Sequence, residues 1–157
     1  MSPRAACRLE TLGFQHVYDY VPGKADWLAH GLRVEGELAE IPTAGGVARS
    51  DVVTCGLDDL VGGLRSRVEG SRYGFALAVS EHGVLLGRLR KSTMHEAADD
   101  ARAEQLMESG PSTVRADTAA SELARRLAER DLRTAVVTTP EGKLLGAVLR
   151  RDLEAPG

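Results

Sequence analysis

Residues 75–90 read FALAVSEHGVLLGRLR, and residues 134–149 read TAVVTTPEGKLLGAVL. The two stretches align without a gap at a separation of 59 residues, so that Ala76 meets Ala135 and Gly87 meets Gly146. In each stretch a glycine-containing turn joins two apolar runs, which predicts a β-hairpin. The chain is therefore organised around two copies of one unit, and such a repeat sets the architecture.

The same separation of 59 residues continues upstream of both hairpins. It pairs Thr54 with Thr113, Asp58 with Asp117, Leu64 with Leu123 and Arg67 with Arg126. Apolar residues at positions 57, 60, 61, 64 and 68, and again at 120, 123, 124, 127 and 128, have the spacing of an amphipathic helix. Each repeat is predicted as strand, helix, strand, strand and helix, and a helix over residues 93–107 is predicted to connect the repeats.

Composition excludes several classes of protein. The chain has 157 residues, of which 43% are hydrophobic and 27% charged, as in a globular protein. No apolar run approaches the roughly 20 residues that cross a bilayer, so a cytoplasmic protein without a membrane partner is expected. The net charge is −3, with 20 basic and 23 acidic residues, and a nucleic-acid partner is not expected. Cys7 and Cys55 lack CxxC spacing, so both thiols are predicted to be buried or idle, without a metal site.

The first 36 residues form a segment of their own. A helix over residues 2–12 ends at Gly13, a strand is predicted at residues 17–21, and a second helix carries Trp27. This helix-strand-helix order, with LGF at 12–14 and a terminal GL, resembles the C-terminal end of a rhodanese-like domain. The family's sulfur-carrying cysteine precedes the first helix, where this sequence has Met1, and Cys7 would lie inside the helix. We therefore interpret the segment as a structural remnant in which His16 and His30 have no ligand role; sulfurtransferase activity is the disfavoured alternative.

The second repeat resembles a cystathionine-β-synthase (CBS) domain. The resemblance rests on QLM at 105–107, PSTV at 111–114, AVV at 135–137, GKLLG at 142–146 and RDL at 151–153. Two such repeats resemble a Bateman module. The resemblance implies an α+β fold with two CBS-type β-α-β-β-α repeats related by a pseudo-two-fold axis, preceded by a helix-strand-helix segment. The expected parts are a remnant at 1–36, a connector at 37–46, and repeats at 47–104 and 105–157.

The resemblance also implies a ligand. Members of the family commonly bind AMP, ADP, ATP or S-adenosylmethionine between the repeats. The family pattern of a glycine, two apolar residues, Ser or Thr, two variable residues and Asp appears at Gly146 to Asp152, with Leu149 in place of the hydroxyl. The first repeat has Arg90 and Thr93 in place of the hydroxyl and the Asp. The expected ligand-binding residues are Asp152, Thr113, Val114, Ala135, Val136, Gly146, Arg150, Arg90 and Thr54.

Each candidate residue has a structural alternative. Asp152 stands where the last helix begins, and an acidic residue there caps the helix without any ligand. Thr54 and Thr113 could serve as turn-stabilising hydroxyls. The basic residues Arg88, Arg90, Lys91, Arg150 and Arg151 form either a solvated face or an anion site at the cleft mouths.

The function expected from the sequence is a non-catalytic regulatory or sensor module. It requires no cofactor and binds at most one adenine nucleotide or related adenosine derivative, and it forms a homodimer that acts on an unidentified effector protein. The alternative is a degenerate pair of repeats that acts only in dimerisation or protein interaction. A bound ligand would shift the packing of the two repeats only by the difference between its affinities for their two possible arrangements.

Overall fold

The structure, a computed structural model, describes residues 3–154, apart from the side chains at positions 3, 4, 38 and 40. The N-terminal part contains α1 (Pro3–Thr11), α2 (Gly23–Ala29), a 3₁₀ turn (Gly36–Glu40) and α3 (Ala44–Val47). The first repeat comprises β1 (Val53–Cys55), α4 (Val61–Glu69), β2 (Phe75–Val79), β3 (Leu85–Arg90) and α5 (Lys91–Glu96). After α6 (Ala103–Leu106) and β4 (Glu108–Ser109), the second repeat comprises β5 (Thr113–Arg115), α7 (Ala120–Glu129), β6 (Thr134–Thr138), β7 (Leu144–Leu149) and α8 (Arg150–Glu154).

The predicted order of elements in both repeats is confirmed. In each repeat the first strand pairs in parallel with the second, and the second pairs antiparallel with the third. The hairpin register shifts between Ala78 and Val79 in the first repeat and between Val137 and Thr138 in the second, which are equivalent positions. The fold is therefore α+β and repeated.

Backbone hydrogen bonds between the hairpin turns define the pseudo-two-fold axis. The Leu85 N–H donates to the Gly142 carbonyl at 2.9 Å, and the Leu144 N–H donates to the Gly83 carbonyl at 2.9 Å. These bonds are equivalents of each other at the 59-residue separation. They hold the two sheets together at the turn end of the hairpins, and the clefts between the repeats lie at the opposite end.

Each repeat is completed by a segment that precedes the other. Glu108 in β4 pairs with Arg88 in β3, while Arg49, ahead of the first repeat, pairs with Ala147 in β7. The helices α3 and α6 are exchanged in the same way, since each precedes one repeat and contacts the other. The Ala44 N–H in α3 donates to the Thr118 carbonyl, and the Ala103 N–H in α6 donates to the Asp59 carbonyl. The correspondence thus extends upstream into the range predicted as a connector; the predicted domain boundaries stay predictions.

In the described part of the chain, three clusters of buried residues form the core. One lies within the first repeat around Val61, Leu64 and Leu89, and one lies within the second around Leu123 and Val137. The third joins the repeats and contains Val52, Tyr73, Phe75, Leu77, Val136, Ala147 and Leu149. We call this third cluster the inter-repeat core. Because it draws on both sheets, the two repeats bury their apolar surface together.

Two predicted elements differ in the structure. The prediction of a strand at residues 17–21 is wrong, because this described stretch is irregular and pairs with no strand. The prediction of one helix over residues 93–107 is also wrong, since α5 ends at Glu96 and α6 begins at Ala103. The intervening carbonyls of Asp99 and Ala101 accept from Gly62 and Val61 at 3.0 and 2.9 Å and satisfy free N–H groups at the start of α4.

The N-terminal segment docks on the second repeat through α2. Ala29 is buried, and the His30 ring contacts both carboxylate oxygens of Glu141 at 3.1 and 3.0 Å. Trp27 contacts its own segment, since its Nε1 donates to the Arg33 carbonyl and its ring meets Tyr20 edge to face. Over residues 3–154, the helices are all too short or too polar to cross a bilayer.

Candidate binding clefts

Two clefts open where the repeats meet, at the end of the sheets opposite the pinned turns. The second-repeat cleft has a volume of about 360 Å³ and is lined by Arg72, Tyr73, Arg133, Thr134, Leu149, Arg150, Arg151 and Glu154. The first-repeat cleft has a volume of about 310 Å³ and is lined by Tyr73, Gly74, Phe75, Arg88, Arg90, Lys91, Ser92, Arg133 and Thr134. Both volumes fall at the lower end of the range for small-molecule sites.

The clefts are pseudo-symmetric and adjoin. The second-repeat wall formed by Arg133, Thr134, Leu149, Arg150 and Arg151 corresponds at the 59-residue separation to Gly74, Phe75, Arg90, Lys91 and Ser92 in the first repeat. Tyr73, Arg133 and Thr134 line both clefts. The inter-repeat core lies at their base, because Tyr73, Phe75 and Leu149 belong to it.

The second-repeat cleft combines cations with a carboxylate at its rim. Asp152 in α8 accepts a hydrogen bond from Arg72 Nη2 at 3.1 Å, so an arginine of one repeat binds the carboxylate of the other. The Arg150 guanidinium lies 3.5 Å from both Asp131 Oδ1 and Glu154 Oε1. These groups are partly exposed, so each pair contributes little to stability and remains open to exchange with a ligand.

The side-chain carboxylate of Glu108, in β4, binds two arginines of the first-repeat cleft. Glu108 accepts from Arg90 Nε at 2.6 Å and from Arg88 Nη2 at 3.0 Å. The hydrogen bond from Arg90, followed by that from Arg88, lowers the pKa of Glu108 below its usual value. Arg88 Nε is buried and has no hydrogen-bond partner among the described residues. The pair of guanidinium groups thus already holds one anionic group.

Tyr73 is fixed at the junction of the clefts. Its hydroxyl donates to Asp51 Oδ1 at 2.8 Å, and its ring packs against Phe75 with centroids 5.9 Å apart. Burial, supported by the hydrogen bond to Asp51, raises the pKa of Tyr73 to about 12. The phenol is therefore neutral at physiological pH and presents a rigid aromatic wall to both clefts.

Larger cavities lie away from this junction. A groove of about 460 Å³ runs between α2 and α3, where Arg33 is the charged lining residue. A cavity of about 530 Å³ is lined by Tyr18, Tyr20 and Trp27, and another of about 540 Å³ by Asp58, Asp59 and Glu81. We favour the smaller clefts as the candidate site, because cations from both repeats converge there on an apolar base.

The structure brings three predicted site residues to the clefts. Arg150 lines the second-repeat cleft and Arg90 lines the first-repeat cleft, while Asp152 flanks the second-repeat cleft through its bond to Arg72. Val136 lies beneath them in the inter-repeat core. The basic residues at the hairpin ends of the two repeats thus lie around Arg133, as the sequence predicted for the cleft mouths.

The other predicted site residues lie elsewhere. Ala135 and Val114 pack in the core of the second repeat, and Thr113 is exposed at the start of β5. Thr54 lies in β1, where its carbonyl accepts from Arg67. Gly146 is covered by the backbone of Arg49, whose carbonyl oxygen would lie 2.4 Å from an added Cβ. None of these five residues lines either cleft.

Sequence reasoning missed Arg72, Tyr73, Arg133, Thr134 and Glu108. The available signal was modest: basic residues stand just ahead of the second strand of each repeat, in SRYGF at 71–75 and DLRTA at 131–135. Glu108 carried no signal, since its contact with Arg88 and Arg90 depends on the exchange of β4. Among the described residues, no three His, Cys, Asp or Glu side chains cluster as metal ligands.

Comparison with known proteins agrees with this architecture. Residues 103–154 match the CBS domain family. No curated protein matches the chain at a significant level. The cytosolic domain of the Mg²⁺ channel MgtE, solved in complex with ATP, is 27% identical, with a TM-score of 0.64 over 74% of this chain and 50% of that one. The chain thus spans about half the length of that domain.

Two further solved structures are matched over nearly the whole of their own length. The CBS domains of a transcriptional regulator from Streptococcus pneumoniae are 20% identical, with a TM-score of 0.64 over 73% of this chain and 98% of that one. CBSX2 in complex with AMP is 18% identical, with a TM-score of 0.61 over 71% of this chain and 92% of that one. At these identities the likeness concerns the fold. The chain therefore has the fold of a CBS-domain pair, and its residues 103–154 match the CBS domain family.

Proposed function

We propose that this chain is a non-catalytic regulatory module that binds an adenosine-containing ligand between its two repeats. The observation that carries the proposal is the junction around Arg133, where both clefts place cationic side chains beside an apolar base. An adenosine derivative needs an apolar slot, a carboxylate for the ribose hydroxyls and cations for any phosphate. The similar structures of the MgtE cytosolic domain and CBSX2 were solved with ATP and AMP, which supports this ligand class.

The second-repeat cleft fits the nucleoside better. Leu149 and Tyr73 supply apolar surface, and Thr134 lies at the start of β6, where backbone groups can read the base edge. Asp152 serves the ribose, on condition that the ligand displaces Arg72 from it. Arg150 and Arg133 supply guanidinium groups for phosphate.

Regulation follows from the position of the site. A ligand in this cleft contacts Arg72 and Tyr73 of the first repeat and Leu149 of the second, so it favours the packing in which both sets of contacts form. We place the module in the cytoplasm, acting as a homodimer on an unidentified effector protein, and we retain residues 1–36 as a non-catalytic rhodanese-like remnant. Cys7 lies within α1, where the amides that would stabilise a thiolate take part in the helix.

A degenerate pair that acts only in protein interaction is the second candidate. The contact between Arg72 and Asp152 favours it, because an internal ion pair already occupies the carboxylate expected to hold the ribose. Exposed apolar side chains of the N-terminal part, including Phe14, Tyr18 and Val21, favour it as well.

A thermal-shift screen distinguishes the two candidates. The purified protein is tested with AMP, ADP, ATP, NAD and S-adenosylmethionine, and we expect at least one of them to raise the melting temperature. A ligand at a hundred times its Kd stabilises the folded state by about 2.7 kcal/mol. No shift with any of them would favour the interaction module.

Matched variants place the site. We expect Asp152→Asn to abolish the ligand-induced shift, because the variant removes the carboxylate at the cleft. Asp117→Asn is the control, since Asp117 also pairs with an arginine, Arg115 at 3.0 Å, and is similarly exposed but lines neither cleft. An equal loss of the shift in both variants would argue against this location.

A further inference from the structure

We propose that the two clefts form one composite site for a single nucleoside polyphosphate. The nucleoside occupies the second-repeat cleft, and the terminal phosphates extend past Arg133 to the arginines of the first-repeat cleft. This inference rests on the proposed function and adds the ligand class and the direction in which the ligand lies.

The two clefts have diverged at equivalent positions. Leu149 in the second repeat corresponds to Arg90 in the first, and Ala147 corresponds to Arg88. Leu149 and Ala147 are buried in the inter-repeat core, whereas Arg90 is half exposed and Arg88 carries its guanidinium to the cleft wall. At these two positions the first repeat therefore carries guanidinium groups where the second has apolar side chains, while arginines line both clefts. Guanidinium groups suit phosphate, and an adenine ring gains little from them without an apolar slot.

The two clefts adjoin at a shared wall. Tyr73, Arg133 and Thr134 line both, so a ligand can cross from one cleft to the other without leaving contact with the protein. Arg133 is exposed, and neither it nor Lys91 forms an ion pair with any carboxylate that the structure describes. The two cations are thus available to a phosphate chain that passes between the clefts.

Two arginines of the first-repeat cleft, to which the proposal assigns the terminal phosphate, already bind an anionic group. The Glu108 carboxylate receives hydrogen bonds from both Arg88 and Arg90, at 3.0 and 2.6 Å. Arg88 Nε, which is buried and has no acceptor among the described residues, is a further donor at the same wall. A terminal phosphate with three oxygens would replace the two of Glu108 and could satisfy this donor as well.

This arrangement predicts a dependence of affinity on phosphate number. AMP reaches the second-repeat cleft alone, whereas ATP also reaches the arginines of the first. We expect ATP to bind about a hundredfold more tightly than AMP, with ADP between them, because each added phosphate gains charge-assisted contacts. We expect one nucleotide per chain, because the phosphates of the first would fill the other cleft.

Titration calorimetry of the full chain with AMP, ADP and ATP, at fixed ionic strength, tests the inference. In Arg90→Gln we expect ATP affinity to fall about tenfold and AMP affinity to stay unchanged. In Glu108→Gln we expect ATP affinity to rise several-fold, because the competing charge is gone, with AMP again unchanged. Arg125→Gln is the control, since the exposed Arg125 pairs with Glu129 on the outer face of α7 and lines neither cleft. Melting curves verify that each variant is folded.

The outcomes separate the two proposals. Equal affinities for AMP and ATP, or two nucleotides per chain, would overturn the composite site and leave the proposed function standing. Loss of AMP and ATP affinity together in Arg90→Gln would also overturn it. Absence of binding by every nucleotide would overturn both proposals.

Discussion

Gly146 illustrates how one residue serves the architecture while resembling a ligand-site residue in the sequence. It belongs to the family pattern that ends at Asp152, yet in the structure the backbone of Arg49 covers it. An added Cβ would lie 2.4 Å from the Arg49 carbonyl oxygen. The glycine is needed because the exchanged segment ahead of the first repeat pairs with β7 at this point. A short sequence pattern cannot separate this use from ligand contact.

Gly146→Ala is expected to destabilise the protein by about 2–4 kcal/mol, as measured by urea unfolding, because a backbone carbonyl cannot give way cheaply. Gly63→Ala is the matched control. Gly63 is exposed in α4 with nothing within 4 Å of an added Cβ, and alanine there should be neutral or stabilise by up to about 1 kcal/mol. Equal free energies of unfolding for the two variants would contradict the close approach at Gly146.

The two cysteines are expected to differ in reactivity. Cys7 is exposed, whereas Cys55 is buried and desolvation raises its pKa to about 11. A thiol reagent at neutral pH should therefore modify one thiol per native chain and the second only after unfolding. Cys7→Ser should leave the native protein unreactive, and rapid modification of two thiols would show that the first repeat opens readily.

At the scale of elements, α2 is held by a small polar cluster. The His30 Nδ1 lies 2.8 Å from the Asp26 carbonyl, and its Nε2 contacts Glu141 in the β6–β7 turn. The hydrogen bond to the Asp26 carbonyl, followed by that to Glu141, raises the pKa of His30, although desolvation opposes this. The hydrogen bond from Thr139 and the contact with His30 lower the pKa of Glu141. An ion pair thus ties the N-terminal segment to the second repeat.

This contact predicts a pH dependence of docking. Because the folded-state pKa of His30 is raised, its stabilising contribution is full below the unfolded value of about 6.5 and is lost as pH rises through the folded-state pKa. Trp27, the single tryptophan, lies in α2 and should report the change as a shift in emission towards longer wavelength above this range. His30→Gln should remove the transition, whereas His82→Gln, in the first-repeat turn, should keep it. A transition that survives in His30→Gln would contradict this account.

Elements were predictable from sequence where local pattern and tertiary pairing agree. The hairpins and the helices α4 and α7 repeat at a constant separation, and each finds its partner inside its own repeat. Residues 17–21 have strand-forming side chains, yet no strand of residues 3–154 lies beside them, and a strand needs a ladder. The Ala-rich stretch at 97–102 favours a helix locally, but its carbonyls are used at the start of α4.

The candidate site was predictable in part, for the same reason. Asp152, Arg150 and Arg90 carry a sequence signal because they stand at the ends of the hairpins. Tyr73 and Arg133 lie just ahead of the second strands, and they become neighbours only when the sheets pack about the pseudo-two-fold axis. Glu108 reaches its arginines through the exchange of β4, which sequence spacing within one repeat does not reveal.

At the scale of the whole molecule, the repeats depend on each other. The exchanged segments complete each sheet, and the inter-repeat core joins the sheets through buried residues such as Leu77 and Val136. Neither repeat retains these contacts alone. The ligand clefts lie at the rim of this shared core, so a change in the packing of the repeats also changes the clefts.

Calorimetric unfolding is expected to show one transition for both repeats, with equal calorimetric and van't Hoff enthalpies. Leu77→Ala, which leaves a cavity in the inter-repeat core, should cost about 2–5 kcal/mol and lower the temperature of that single transition. Two separate transitions in the unmodified protein would mean that the repeats fold independently.

Photolabelling with 8-azido-ATP reports where the adenine of a bound nucleotide lies. After digestion, we expect label on peptides from both repeats, one containing Tyr73 and one containing Leu149, and loss of that label when unmodified ATP competes. Competed label confined to one repeat, or found on the N-terminal segment around Trp27, would contradict a nucleotide site formed between the repeats.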